Sequence, residues 1–418
     1  GPSLFWGRFF VFLAGCAIAA LIAFIVYRQT GRWLPALAAP LLFWNTYALY
    51  EWVGYARVDL PAVFFSLCGL AVLMKGEGRK RLAAASLLFI VSIYTKQIQV
   101  FALAAAGLYL FCKNRLLGIR FIAGNAAAIL IIFAFLCLFT RGEYFRHTVI
   151  YNANEFQWWQ VKVWTLNLLL KFYPIYLTTL FLFAATNIME REKGGWRVEN
   201  IKPRDLFAIY ALLGVASFLA IGKVGAAANY LIEFHAALAI FAGISLGGMM
   251  NTMGNGRRLP VILFTCAAIL LTLHAMNLTR LRRLLFSRPN PDTVSLEKGQ
   301  RLLEIVRDFP EPVYSEQPVI NLLAGRDVLF QPFIMSQLAR ESKWNESPFL
   351  KDIEARRFSL VITGQDITRE GFKWQYTPAM QEAFGRAYRP LLPSGNPTRT
   401  LLESPSGGIP YFVYVPKE

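Results

Sequence analysis

Ten long apolar runs follow one another through residues 9–279, and they constrain the fold more than any other feature of the sequence. A helix that crosses a bilayer needs about 20 mostly apolar residues, because lipid offers the backbone no hydrogen bonds. The runs therefore predict a mostly α fold, a polytopic membrane bundle of about ten transmembrane helices. The predicted spans are 9–27, 33–50, 60–74, 82–95, 98–112, 121–140, 164–187, 206–222, 230–249 and 260–279.

The loops between these runs predict the topology, because their basic residues alternate. Sixteen Lys and Arg residues fall in one set of loops, which the positive-inside rule places in the cytoplasm. The other set, 51–59, 95–97, 141–163 and 223–229, is predicted to face outward together with both termini. We count 11 basic and 5 acidic residues on this outer face, a balance that suits a phosphate-bearing ligand.

The net charge of +17 is carried entirely by the apolar part of the chain. Residues 1–286 contain 27 basic and 10 acidic residues, whereas residues 287–418 contain 16 of each. A basic excess confined to the apolar part indicates membrane topology and argues against a nucleic-acid partner. We therefore predict a transmembrane domain at 1–286 and a small soluble α/β domain at 287–418. In the second domain the patterns predict helices at 296–309, 318–324 and 378–388 and strands at 358–363 and 411–415.

Two outward segments carry charge directly beside apolar runs. Arg57 and Asp59 precede the run that begins at Pro61, so Asp59 is either a helix N-cap with a local ion pair or a carboxylate available for chemistry at the membrane surface. Lys96 and Gln97 lie in a very short turn between two other runs. A lysine there either extends to water or contacts an anion such as phosphate.

Two further outward segments combine polar and aromatic residues. The loop that contains Arg141, Tyr144 and His147 reads as an interfacial amphipathic helix or as a sugar-binding surface. The segment 222–235 interrupts its apolar run with small residues and suggests a re-entrant or close-packed turn. Its candidate residues are Lys223, Asn229, Tyr230 and Glu233, and Glu51 is a weaker candidate in the first outward loop.

Glu233 allows two interpretations because it lies inside a predicted span. It is a functional acid by default, sharing a helix face with Asn229 four residues earlier, or it forms a buried structural pair with Lys223. No motif for a nucleotide, a zinc ion or a nucleophilic serine is present, and three histidines make a histidine metal site improbable. No cofactor is therefore predicted, and nothing in the sequence supports a divalent metal.

The order and spacing of several segments resemble membrane glycosyltransferases of the GT-C class, in the style of protein O-mannosyltransferases and the lipid A aminoarabinose transferase. The segments that carry this resemblance are Gly7-Arg8, Arg28 with Arg32, 56–60 (ARVDL), 95–97 (TKQ) and 222–230 (GKVGAAANY). The resemblance implies a bacterial inner-membrane enzyme whose C-terminal domain is extracytoplasmic. It also implies transfer of a sugar from a polyprenyl-phosphate carrier to a lipid, glycan or protein acceptor.

The resemblance also implies roles for individual residues. Asp59 matches the family's second acidic position and is expected to assist or orient the acceptor, whereas Lys96, Arg141 and Lys223 are expected near the phosphate. The family's first transmembrane helix and the principal catalytic acid that follows it have no counterpart here, so we expect a truncated form. The alternatives are a transporter or flippase of lipid-linked saccharides, which Glu233 and Lys171 would favour, and a non-enzymatic scaffold.

Overall fold

The computed structural model describes residues 3–191, 202–253, 266, 293–364, 366–367, 375–391 and 411–418. The chain divides into two compact units. The larger unit comprises Leu4–Gly142 and Asn154–Leu281, and the smaller unit comprises Gly1–Ser3, Glu143–Ala153 and Arg282–Glu418. The predicted domain boundary at residues 286–287 lies outside the described residues.

The described part of the larger unit consists of helices. In chain order, the helices between residues 5 and 253 are α1 (Phe5–Thr30), α2 (Trp33–Trp44), α3 (Tyr47–Trp52), α4 (Asp59–Met74), α5 (Arg79–Thr95), α6 (Phe101–Lys113), α7 (Arg115–Phe139), α8 (Glu143–Phe145, which belongs to the smaller unit), α9 (Trp158–Arg191), α10 (Pro203–Gly214), α11 (Ser217–Ala220) and α12 (Ile232–Met253). A π-helical turn follows α8 at Arg146–Ile150, and a 3-10 turn, Ala228–Leu231, leads into α12.

Among the described residues, four helical segments are long and apolar enough to cross a membrane: Phe5–Thr30, Arg115–Phe139, Pro203–Ala220 and Ala228–Asn251. Three shorter apolar helices, α2, α4 and α6, lie between them in the chain. The protein is therefore mostly helical and has the properties of a membrane protein, whereas the count of ten spans stays a prediction. The last predicted span, 260–279, lies outside the described residues except for Cys266.

Helix α12 is central and α7 is peripheral. Within the candidate spans, 94% of the α12 segment is buried inside the protein, compared with 11% of α7. Small residues explain the close packing of α12, since a Cβ added at Gly243 would lie 2.8 Å from the Cβ of Ala39. The exposed apolar surface of α7 is the surface that lipid would cover.

Helices α4 and α5 form an antiparallel pair that positions the candidate site. The Ser92 hydroxyl donates a 2.7 Å hydrogen bond to the carbonyl of Ala62, and its oxygen lies 2.8 Å from that of Ser66. Near the middle of the pair, Gly69 leaves room for the ring of Phe89. The start of α4 and the end of α5 therefore lie at the same end of the bundle, so Asp59 and Lys96 are neighbours.

The smaller unit contains a four-stranded sheet covered by helices. Strands β1 (Val313–Ser315), β2 (Leu360–Thr363), β3 (Tyr388–Pro390) and β4 (Phe412–Pro416) are arranged in the order β1-β2-β4-β3. Only the β1–β2 pair is parallel among these strands. Its helices are Thr293–Asp308, Pro318–Ala324, Pro332–Arg340, Ser347–Glu354 and Pro378–Ala387.

The smaller unit follows the sequence patterns closely. The helix at 318–324 is confirmed residue for residue, and the predicted helix at 296–309 is observed at Thr293–Asp308. The predicted strands at 358–363 and 411–415 are observed as β2 and β4. Strand β1 and the helices at 332–340 and 347–354 were not predicted, because their apolar stretches are short.

Two glycines of α7 test how closely α6 and α7 pack. A Cβ at Gly118 would lie 2.4 Å from backbone atoms of Phe111, whereas a Cβ at Gly124 would meet nothing within 4 Å. We expect Gly118→Ala to cost about 1–3 kcal/mol through overpacking, because a backbone cannot yield as a flexible side chain can. Gly124→Ala should leave stability unchanged or raise it, because alanine favours the helix.

The apparent melting temperature of both variants in the same detergent measures this difference. Equal melting temperatures for the two variants would show that α6 and α7 do not approach each other as described.

Candidate functional site

Asp59 is a buried carboxylate at the first residue of α4. It is 2% exposed. The carboxylate accepts hydrogen bonds from Arg57 Nε at 3.1 Å, from Asn229 Nδ2 at 2.7 Å and from Lys96 Nζ. Of the two alternatives for Asp59, the N-cap was wrong, because the helix already includes Asp59 and Val58 occupies the cap position. The Asp59 carboxylate accepts its hydrogen bonds from these three side chains instead of from backbone N–H groups of the helix.

These three donors come from distant parts of the chain. Lys96 follows the last residue of α5, and Asn229 belongs to the 3-10 turn before α12. Arg57 is a neighbour of Asp59 in sequence and supplies the local ion pair that the sequence predicted. We refer to Arg57, Asp59, Lys96, Asn229 and Tyr230 as the Asp59 cluster.

Each cation of the Asp59 cluster also lies over an aromatic ring. Lys96 Nζ is 4.6 Å from the centroid of the Tyr230 ring, and the guanidinium carbon of Arg57 is 4.6 Å from the Trp52 ring. Such contacts contribute about 0.5–2 kcal/mol, more when they are withdrawn from water. Trp52 was not among the predicted site residues. Its position in the same outward loop, five residues before Arg57, is a signal that could have suggested it.

The Asp59 cluster carries more positive than negative charge. One carboxylate faces two cations, and the side chain of Lys96 is 13% exposed whereas that of Arg57 is 50% exposed. The Lys96 ammonium is therefore mostly covered by its contacts with Asp59 and Tyr230, whereas part of the Arg57 guanidinium is exposed. The arrangement suits an incoming anion, which would balance the second cation.

Glu233 belongs to a different set of contacts. It is 1% exposed and accepts hydrogen bonds from the backbone N–H of Ala102 at 3.1 Å and from the Tyr210 hydroxyl at 3.3 Å. Ala102 lies in the first turn of α6, where backbone N–H groups have no partner within their own helix. Glu233 thus provides, from α12, the acceptor that the start of α6 lacks.

These contacts correct the sequence-based interpretations of Glu233. Glu233 accepts hydrogen bonds from α6 and α10 rather than from Lys223. It also shares no described hydrogen-bond partner with Asn229, whose amide donates to Asp59. The reason is local, because a 3-10 turn ends at Leu231 and changes the helical phase between the two residues. Nothing in the sequence indicated Tyr210 or Ala102, which are 23 and 131 positions away.

Lys223 anchors a turn through its backbone. It forms a bridge with Phe156, and its carbonyl accepts a 3.1 Å hydrogen bond from Gln160 Nε2. Its side chain is partly buried, and this burial lowers the pKa of the Lys223 ammonium. No described contact joins Lys223 to the Asp59 cluster.

The remaining predicted residues belong to the turn after α5, the end of α7, α8 with the π-helical turn, and α3. Gln97 is exposed in the turn after α5, and Arg141 has a left-handed backbone (φ 53°) just after α7. Tyr144 and His147 belong to the smaller unit, where His147 contacts the ring of Tyr151 edge-on. Glu51 lies in α3.

No group of three or more His, Cys, Asp or Glu residues that could hold a metal ion is found in the part of the chain that the structure describes. Comparison of the chain with protein-family models, with curated proteins and with solved structures finds no match in any of the three. The resemblance to the GT-C class therefore stays a prediction from the sequence, and the function is inferred from the site.

The buried ion pair can be measured by a double-mutant cycle with Asp59→Asn and Lys96→Met. Each single change leaves a buried charge without its main partner, which costs about 3–5 kcal/mol. The double variant leaves neither charge, so it should be clearly more stable than the sum of the two single losses predicts. The apparent melting temperature in detergent is the measurement.

A matched control comes from Glu77 and Lys113, an ion pair whose side chains are 29% and 31% exposed. The same cycle with Glu77→Gln and Lys113→Met should give a coupling of about 1 kcal/mol or less. Additive losses at Asp59 and Lys96 would contradict the burial and pairing described here.

Proposed function

We propose that this protein is a membrane glycosyltransferase that moves a sugar from a polyprenyl-phosphate carrier to a hydroxyl group of a lipid, glycan or protein acceptor. The single observation that supports this most is the Asp59 cluster, in which a buried carboxylate holds two cations at the ends of apolar helices. A phosphate that enters from the lipid needs cations at that depth, and an acceptor hydroxyl needs a carboxylate beside them.

The proposed reaction is a direct displacement at the anomeric carbon. The bond between the acceptor oxygen and the anomeric carbon forms as the bond from that carbon to the phosphate oxygen breaks. The polyprenyl phosphate leaves with the electron pair of that bond, and the released phosphate takes up the proton that the acceptor hydroxyl loses. Asp59 accepts three hydrogen bonds, so it is a weak base whose part is to orient the acceptor and the cations.

The two cations, Arg57 and Lys96, have different roles in the proposed reaction. Arg57 is half exposed, and its guanidinium can donate two parallel hydrogen bonds to one phosphate. Both properties fit a contact between Arg57 and the leaving phosphate. Lys96 is nearly enclosed between Asp59 and Tyr230, which fits a fixed positive charge behind the phosphate. Trp52 supports the guanidinium of Arg57 from one side and limits its orientations.

The position of the cluster favours an enzyme over a transporter. Asp59 begins α4, Lys96 follows α5, and Asn229 precedes α12, so all three lie at helix ends. Transporters typically bind their substrates near the middle of the bilayer on broken helices. Glu233 is the residue that a flippase of lipid-linked saccharides would use, since it is an acid within a candidate span and joins three helices.

The test uses Asp59→Asn at the chromosomal locus, so that the protein is assayed in its own membranes. Isolated membranes receive labelled polyprenyl-phospho-sugars, and release of polyprenyl phosphate with sugar transfer is measured. We expect turnover to fall by at least about 100-fold, the usual scale for losing a positioned acid–base or electrostatic group. Arg57→Gln should reduce turnover and weaken donor binding.

Asp205→Asn is the matched control, because Asp205 is also a buried acid at the start of a helix, where it caps α10 and pairs with the neighbouring Arg204. It should retain turnover. Unchanged turnover in Asp59→Asn at normal protein level would refute the role of Asp59. Flux of a lipid-linked saccharide that survives Asp59→Asn and falls in Glu233→Gln would favour the flippase.

A further inference from the structure

A groove runs between α5 and α7 on the lipid-facing side of the larger unit. Its walls include Leu82 and Ala83 on α5 and Leu117, Arg120 and Gly124 on α7, and its volume is about 250 Å³. We call it the α5–α7 groove. That space holds a segment of hydrocarbon chain and is far too small for a helix, whose diameter is about 10–12 Å.

Hydrogen bonds join α5 to α7 within the α5–α7 groove and beyond it. Asn125 Nδ2 donates to Ser86 Oγ at 2.9 Å, and the Tyr94 hydroxyl donates to the carbonyl of Ile129 at 2.6 Å. These pairs run in the same sequence direction on both helices, so α5 and α7 are parallel. Their first turns therefore meet at the same end of the groove.

This end of the groove is strongly positive. Arg79 and Lys80 open α5 and Arg120 lines the groove itself, all of them exposed. Two helix N-termini add their positive dipole ends, where cations are unfavourable without an anion. Neither helix contains an Asp or Glu, and Glu77, two residues before α5, is paired with Lys113.

The far end of the groove is open to lipid. Only 11% of the α7 span is buried, and Leu130, Ile131 and Phe135 beyond the groove are 62–68% exposed. An occupant must therefore combine a negatively charged head with an apolar tail that continues along α7. Its head and tail must be separated by the length of the groove.

We propose that the α5–α7 groove binds an anionic glycerophospholipid, with its phosphate at Arg120 and one acyl chain along the groove. This site is separate from the Asp59 cluster and does not depend on the proposed transfer reaction. Phosphatidylcholine, whose head carries no net charge, shares the acyl chains and lacks the charge that Arg120 and the helix N-termini favour. The ratio of bound phosphatidylglycerol to bound phosphatidylcholine therefore tests the proposal directly.

The experiment delipidates the full chain in detergent and adds phosphatidylglycerol and phosphatidylcholine with identical acyl chains, and native mass spectrometry counts bound lipids. We expect a roughly fivefold preference for phosphatidylglycerol, the scale of one basic residue near an anionic head. Gly124→Leu fills the groove without a clash, since nothing lies within 4 Å of a Cβ there, and it should abolish the bound lipid. Arg120→Gln should reduce the preference for the charged lipid and leave acyl-chain binding.

Ala126→Leu is the matched control, because Ala126 is exposed on the opposite side of α7 and does not line the groove. It should bind lipid as the original protein does. Ala83→Leu fills the groove from α5 and should repeat the loss seen with Gly124→Leu. The proposal is overturned if both filled variants keep the bound lipid, if phosphatidylcholine binds equally well, or if Gly124→Leu changes only the oligomeric state.

Discussion

The ion pair between Asp59 and Lys96 is the interaction on which the organisation of the larger unit depends. A carboxylate that is 2% exposed at the end of an apolar helix is tolerated only when cations and hydrogen-bond donors surround it. The pair requires the start of α4 to lie beside the end of α5, and the amide of Asn229 brings the segment before α12 to the same place. One buried charge therefore specifies the relative positions of three helix ends.

The larger unit concentrates positive charge at two places with different surroundings. At the Asp59 cluster the cations contact a carboxylate and two aromatic rings, an arrangement suited to a defined ligand. At the start of α5 and α7 the cations are exposed, and no acidic residue follows within either helix. The first place suits chemistry at a phosphate, whereas the second suits attachment of a lipid head.

The composition of each segment made much of the fold predictable, and the site only in part. Long apolar runs predicted the main helices, and apolar patterns predicted most elements of the smaller unit. The spacing of Arg57 and Asp59 indicated an ion pair, which is observed, but the role of Asp59 as a cap was wrong. One of the two interpretations of Glu233 paired it with Lys223, whereas its carboxylate accepts a hydrogen bond from the start of α6. Such partners escape prediction because no short-range pattern connects them.

The sequence by itself determined that the chain is mostly helical, that its helices are apolar enough for a membrane, and that charged residues lie at helix ends. These properties follow from the composition of contiguous segments, which needs no knowledge of distant contacts. Only the tertiary structure decided which charges meet. Lys96 is 37 positions and Asn229 is 170 positions from Asp59, and the burial of that carboxylate selects them as partners because an unpaired charge there would be too costly.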